Sequence, residues 1–138
     1  MSISVVIPNY NGKELLRKNI PKVFDSIASY EGKKEVIVAD DASLDNSISI
    51  LQVLKTQIES TYPDIKFEII KNEKNLGFSS NVNLGVKNAS GDILILLNTD
   101  VVPHKDFLRP LLSHFEDLQM FAVGSMDESI ENVKKMLR

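Results

Sequence analysis

Short apolar runs rich in β-branched residues alternate along this chain with segments of helical period, and that alternation leaves few folds open. Val5-Val6-Ile7, Glu35 to Ala39, Phe67 to Ile70 and Ile93 to Leu97 read as strands. Helical patterns lie between them, carried by Leu15, Leu16, Ile20, Val23, Phe24 and Ile27, then by Ile48, Leu51, Leu54 and Ile58, then by Val82, Val86 and Ala89. Strands joined by crossover helices imply an α/β fold, a mostly parallel sheet with helices on both faces.

Local signals sharpen the boundaries. Pro21 should interrupt or kink the first helix, because it lacks the amide an interior position needs. Asp45 or Ser43 is placed to cap the second helix, Pro63 to end it, and Ser90-Gly91 to stop the third. The run Ile93 to Leu97 is so apolar that it predicts a strand buried on both faces. Beyond it, Phe107, Leu108, Leu111, Leu112 and Phe115 predict a further helix despite Pro110, and Phe121 to Gly124 a fifth strand. Ile130, Val133 and Leu137 fit a last helix. No repeat or linker interrupts the 138 residues, which read as one domain.

Composition removes several function classes. The chain has no cysteine, so disulfides and thiolate metal sites are excluded. A net charge of −3 argues against a phosphate-backbone footprint and hence against nucleic acid. No apolar stretch approaches the roughly 20 residues of a membrane helix, and Met1-Ser2-Ile3-Ser4 opens no signal peptide. The expected location is cytoplasmic, with peripheral association at the cytoplasmic membrane as a variant of it.

Three polar clusters follow three of the strands: Pro8 to Asn11, Asp40-Asp41, and Asn98-Thr99-Asp100. In a parallel sheet these carboxyl ends share one edge, where open α/β sheets bind ligands. Asp40 can equally serve as a turn or capping residue. Asp41 can accept either the imide N–H of uracil or thymine or a ribose hydroxyl. Asn72 to Asn75 with Leu76-Gly77 reads as a loop entering a helix whose free amides can help hold an anion, with capping by Ser79 or Ser80 as the plainer alternative. Asn83 is a candidate for a polar contact beneath the site. An acid such as Asp100 can take a hard divalent cation with phosphate and water completing its shell. His104 and His114 read as surface or helix residues, and the Lys33-Lys34 and Lys134-Lys135 pairs as solvated.

Taken together these pieces resemble the inverting glycosyltransferases of family 2, which have the GT-A fold. The resemblance runs from Ser4 to about Gly124 through Val5-Val6-Ile7-Pro8-Asn9-Tyr10-Asn11, Val36-Ile37-Val38-Ala39-Asp40-Asp41-Ala42-Ser43-Leu44-Asp45, Asn75-Leu76-Gly77-Phe78 with Asn83-Leu84-Gly85, and Ala89-Ser90-Gly91-Asp92 with Leu97-Asn98-Thr99-Asp100. It implies a nucleotide site made by Pro8, Asn9, Tyr10, Asp41, Asn75, Gly77, Asn98 and Thr99, with Asp41 on the base. Asp100 matches the last acid of the family's Asp-x-Asp motif and would hold Mn²⁺ or Mg²⁺ against the diphosphate of a UDP- or dTDP-sugar. Asn98 replaces the first acid, as in rhamnosyltransferase-like members. The resemblance also implies transfer to an acceptor hydroxyl, glycan or lipid-linked. It places the catalytic base and most acceptor contacts in a second half of the domain, so no base is assigned and the chain reads as a donor-binding part, truncated at its C-terminus and inactive by itself.

Other readings compete. A dinucleotide-binding oxidoreductase would also use an acid after the second strand, but the first loop lacks Gly-x-Gly-x-x-Gly. A receiver-like signalling domain would place its acidic pair after the first strand. A nonenzymatic nucleotide-binding or interaction module remains open.

Overall fold

The computed structural model describes residues 1–125, divided into two compact units at Lys105 and Asp106. In the first unit, β1 (Ile3–Asn9), β2 (Lys34–Asp40), β3 (Lys66–Lys71) and β4 (Ile93–Leu96) form one sheet in the order β3-β2-β1-β4. All three pairings are parallel. The crossovers are α1 (Lys13–Ile27), α2 (Ser47–Thr61) and α3 (Phe78–Lys87).

Topology then fixes the layers. The steps from β1 to β2 and from β2 to β3 run in one direction, and the step from β3 to β4 runs back across the sheet. With right-handed crossovers, α1 and α2 therefore share one face and α3 lies on the other. Order reverses between β1 and β4, so the loops after these two strands flank the switch point.

Burial is deepest in the central pair. Val5, Val6, Ile7, Val36, Ile37 and Val38 are buried between the two helix layers, each such side chain contributing about 1.5–3 kcal/mol. On the α1 and α2 side, Leu16, Ile20, Val23, Phe24 and Ile27 meet Leu51, Leu54 and Ile58 in the core. The Phe24 ring packs edge-on to Phe67 at 4.9 Å. On the other side α3 comes so close that a Cβ on Gly85 would lie 2.6 Å from Val6 Cγ1.

Several expectations are corrected. Pro21 does not interrupt α1, which runs unbroken from Lys13 to Ile27; the buried face of the helix outweighs one missing amide bond. The run at β4 is not buried on both faces. Leu94 is 43% exposed and Leu96 58%, because β4 is an edge strand paired only with β1 among the described residues. Phe121 to Gly124 forms no strand, and Phe121 is 96% exposed. Lys34 is not solvated: it is buried, donating to the carbonyls of Ala28 and Tyr30 and pairing with Asp64 at 3.1 Å.

In the second unit the expected helix is α4 (Leu108–Ser113), continued by a 3-10 turn, His114–Glu116. Pro110 falls in its first turn, where an amide has no helical partner to lose. The helix expected around Ile130, Val133 and Leu137, and the Lys134-Lys135 pair, lie outside the described residues. No helix among the described residues is long and apolar enough to cross a membrane.

Candidate functional site

Side chains alternate across a strand, so consecutive acids at the end of β2 part company. Asp40 turns into the loops on one side. Its carboxylate accepts from Asn9 Nδ2 at 2.8 Å, Ser43 Oγ at 2.6 Å and the Ser43 amide at 3.0 Å. Asn9 also donates to Ser43 Oγ and accepts from the Gly12 amide. Asp40 thus serves as the turn residue, and both donor hydrogens of the Asn9 amide are engaged by protein.

The same loops carry a second brace. The Asn11 amide donates to Ser43 Oγ at 2.9 Å, and the Leu44 amide to Asn11 Oδ1 at 2.8 Å. Asp45 accepts from the amides of Lys13 at 2.9 Å and Ser47 at 3.0 Å, so one carboxylate covers the first residues of both α1 and α2. It does so from the position before the N-cap, which is Asn46 with no capping bond of its own. Burial pushes the Asp45 carboxyl up, but the Ser47 hydroxyl and the two amides outweigh it and leave the pKa lowered. Asn11, Ala42 and Asn46 all adopt left-handed backbone at φ 55, 59 and 64, a conformation that costs an alanine about 1–2 kcal/mol.

Asp41 turns to the α3 side. It is buried, and its carboxylate accepts from the amides of Leu76 at 2.7 Å and Gly77 at 3.0 Å and from Asn72 Nδ2 at 3.0 Å. Asn72 also donates to Asn81 Oδ1 at 2.9 Å, and Asn81 donates to the Ala39 carbonyl at 2.8 Å. Burial again pushes the acid up, and the donors from Leu76, Asn72 and Gly77 bring the net pKa down. The group is therefore a carboxylate at neutral pH, an acceptor only. Gly77 enters α3 at φ 89, a conformation that suits glycine.

Above this carboxylate lies a cavity of about 280 Å³. Six residues singled out from sequence line it: Pro8, Asn9, Tyr10, Asp41, Asn75 and Gly77. The wall also includes Phe78 and Asn81, which sequence reasoning missed. The signal for Asn81 was its spacing of four from Gly85, the small residue that lets α3 approach the sheet. Asn83, expected beneath the site, is exposed instead. Neither Ser79 nor Ser80 caps α3, and the amides of Leu76 and Gly77, expected to be free for an anion, are taken by Asp41.

Asn98, Thr99 and Asp100 do not line this cavity. β4 stops opposite Val6, short of the end of β1, and the tip lies alongside the start of α1. The Thr99 carbonyl accepts from Asn19 Nδ2 at 2.7 Å, and a Cβ on Gly12 would sit 3.5 Å from Thr99 Oγ1. Asp100 is exposed. No group of three acid, histidine or cysteine side chains able to hold a metal occurs among the described residues. A single free carboxylate still suits a magnesium-like ion that takes its remaining ligands from phosphate and water.

Comparison with known proteins identifies the family. The chain is 29% identical over 125 residues to the dolichol-phosphate mannosyltransferase of Pyrococcus furiosus, covering 91% of this chain and 33% of that protein. It is 31% identical over 123 residues to an uncharacterized glycosyltransferase of Bacillus subtilis, covering 89% and 29%. The chain thus spans about a third of the length of these relatives. Its fold matches a mannosyltransferase from Pyrobaculum calidifontis solved with GDP-Man and Mn²⁺, at a TM-score of 0.70 and 22% identity over 83% of this chain and 32% of that one. The model of Glycosyl transferase family 2 matches residues 4–138, and to that family this chain belongs.

Proposed function

We propose that this chain forms the donor-binding part of a glycosyltransferase that transfers a sugar, with inversion, from UDP or dTDP to an acceptor hydroxyl. The observation that carries the reading is the buried Asp41 carboxylate at the floor of the cavity, held ionised by two backbone amides and Asn72. Among the described residues its Oδ2 accepts only the Gly77 amide and keeps a lone pair for a donor. Uracil and thymine present such a donor at their imide nitrogen; cytosine and adenine present an acceptor at the corresponding ring position. Tyr10 and Phe78 supply exposed aromatic walls for the base. A cavity of about 280 Å³ lies at the small end of ligand sites, which suits a nucleoside with its diphosphate and sugar outside.

The diphosphate then extends toward the Asn98-Thr99-Asp100 tip, where Asp100 would hold Mn²⁺ or Mg²⁺ and Asn98 stands in the rhamnosyltransferase-like variant of the motif. When bound, the cation neutralises charge on the departing diphosphate. In the transfer, the acceptor oxygen bonds to the anomeric carbon as the bond to the diphosphate breaks, and the acceptor proton passes to a base not assigned to any residue of this chain. The Pyrococcus relative's name supports a lipid-linked acceptor, and the Pyrobaculum structure supports a Mn²⁺-assisted donor.

Calorimetry with UDP, dTDP, GDP and NAD, each with and without Mn²⁺, tests the reading. Binding of UDP or dTDP that Mn²⁺ strengthens is the expected result. Preference for GDP would move the donor class to guanine nucleotides. Binding of NAD with none of the diphosphates would overturn the proposal.

A further inference from the structure

Every other buried residue on the inner face of α1 is apolar or keeps its polar atom within the helix. Leu16, Ile20, Val23, Phe24 and Ile27 pack in the core, and Ser26 donates to the carbonyl of Val23 in its own helix. Asn19 is different. It is 5% exposed, its Nδ2 reaches the carbonyl of Thr99 at 2.7 Å, and its buried Oδ1 has no hydrogen-bond partner among the described residues. An amide buried with its oxygen unmet is less stable than one fully satisfied. An apolar residue would therefore suit the helix better.

What the amide provides is a fixed point. Thr99 is the residue before Asp100, and it is approached from two sides, by Asn19 at its carbonyl and by the Gly12 turn near its hydroxyl. Asp100 itself extends into solvent, so its placement depends on the backbone immediately before it. We propose that Asn19 is a positioning residue for the loop after β4, holding the Thr99 carbonyl so that the Asp100 carboxylate meets a divalent cation carried on a nucleoside diphosphate. The proposal rests on the functional reading above, and Asn19 itself touches neither cation nor nucleotide.

The test uses the whole chain and the tightest-binding of UDP, dTDP and GDP. Asn19→Leu removes the donor and the unmet oxygen together; Asn19→Ala withdraws the side chain from reach of the carbonyl. In both, the gain in nucleotide affinity on adding Mn²⁺ should fall by about 10-fold, the lower end of what outer-sphere partners of metal ligands contribute. Affinity without Mn²⁺ should stay within twofold, and amide hydrogen exchange should quicken at residues 98–101 while staying unchanged at 72–81. Asn19→Leu should melt no lower than the parent, which separates positioning from folding. If Asn19→Leu keeps the Mn²⁺ gain within twofold, or loses it together with Mn²⁺-free binding, the proposal is overturned. A parent chain that binds nucleotide with no Mn²⁺ gain instead overturns the metal reading on which the proposal stands.

Discussion

The two ends of the proposed site are held very differently. Around Asp40, Asp41 and Asp45, three carboxylates tie the loops after β1 and β2 and the entry to α3 through backbone amides and buried side chains. At the tip after β4, the hydrogen bonds among the described residues are a turn from the Val101 amide to the Asn98 carbonyl and the single reach from Asn19 to Thr99. A pocket for a flat, invariant group such as a base benefits from walls set in advance, since no ordering is left for the ligand to induce. On the proposed reading Asp100 meets a cation that arrives with its own phosphates and waters, a role that an exposed, lightly held carboxylate suits.

Acid should expose this difference most. Asp41 and Asp45 have lowered pKa values, as does Glu35, where burial is outweighed by donors from Ser4 and Ser90 and by the Lys66 charge. A depressed folded-state pKa contributes stability above the unfolded value and loses it as pH falls through the folded one. Denaturant midpoints should therefore be level from about pH 7 to about pH 5 and fall below about pH 4, where unfolded carboxyls titrate. A midpoint that holds steady to pH 3 would show that these bonds contribute nothing net.

Next in size comes Asp41→Ala, which takes the acceptor from the Leu76 amide and one of two acceptors from the Gly77 amide and from Asn72, leaving these Asn75 Oδ1 and Asn81 Oδ1 respectively. We expect a loss of about 3 kcal/mol in chemical denaturation, together with nucleotide binding. Asp45→Ala uncovers the first amides of two helices but leaves the cavity walls in place. A loss of about 1–2 kcal/mol with nucleotide affinity changed less than in Asp41→Ala would fit. Asp100→Ala should move stability by less than about 0.5 kcal/mol, as for any exposed surface change, while abolishing the Mn²⁺-dependent part of nucleotide binding seen by calorimetry. Comparable destabilisation by Asp100→Ala and Asp41→Ala would erase the contrast.

Much of the architecture was legible because period and β-branching report local geometry directly. Strands at Val5, Val36, Phe67 and Ile93, and the helices between them, follow from that pattern. The cavity was legible where strand ends carry it, at Pro8, Tyr10 and Asp41. What escaped depends on neighbours distant in sequence. Asn81 and Asn83 have the same chemistry, and only the rotation of α3 on the sheet buries the first and exposes the second. The exposure of Leu94 and Leu96 escaped because a strand's composition does not tell whether it lies inside the sheet or at its edge. Lys34 is buried because the carbonyls of Ala28 and Tyr30 meet its ammonium, an arrangement created by the end of α1 rather than by any pattern around the lysine. Phe121 sits in a run too short to distinguish a strand from a bare stretch of loop.

Asp41 faces the cavity with the same carboxylate that holds the entry to α3. On the proposed reading this position is constrained: a change of nucleobase preference made by replacing the acid would also free the Leu76 amide and loosen the hold on Gly77. The same reading expects changes of donor choice at the aromatic wall, where Tyr10 and Phe78 can vary without dismantling the floor beneath them.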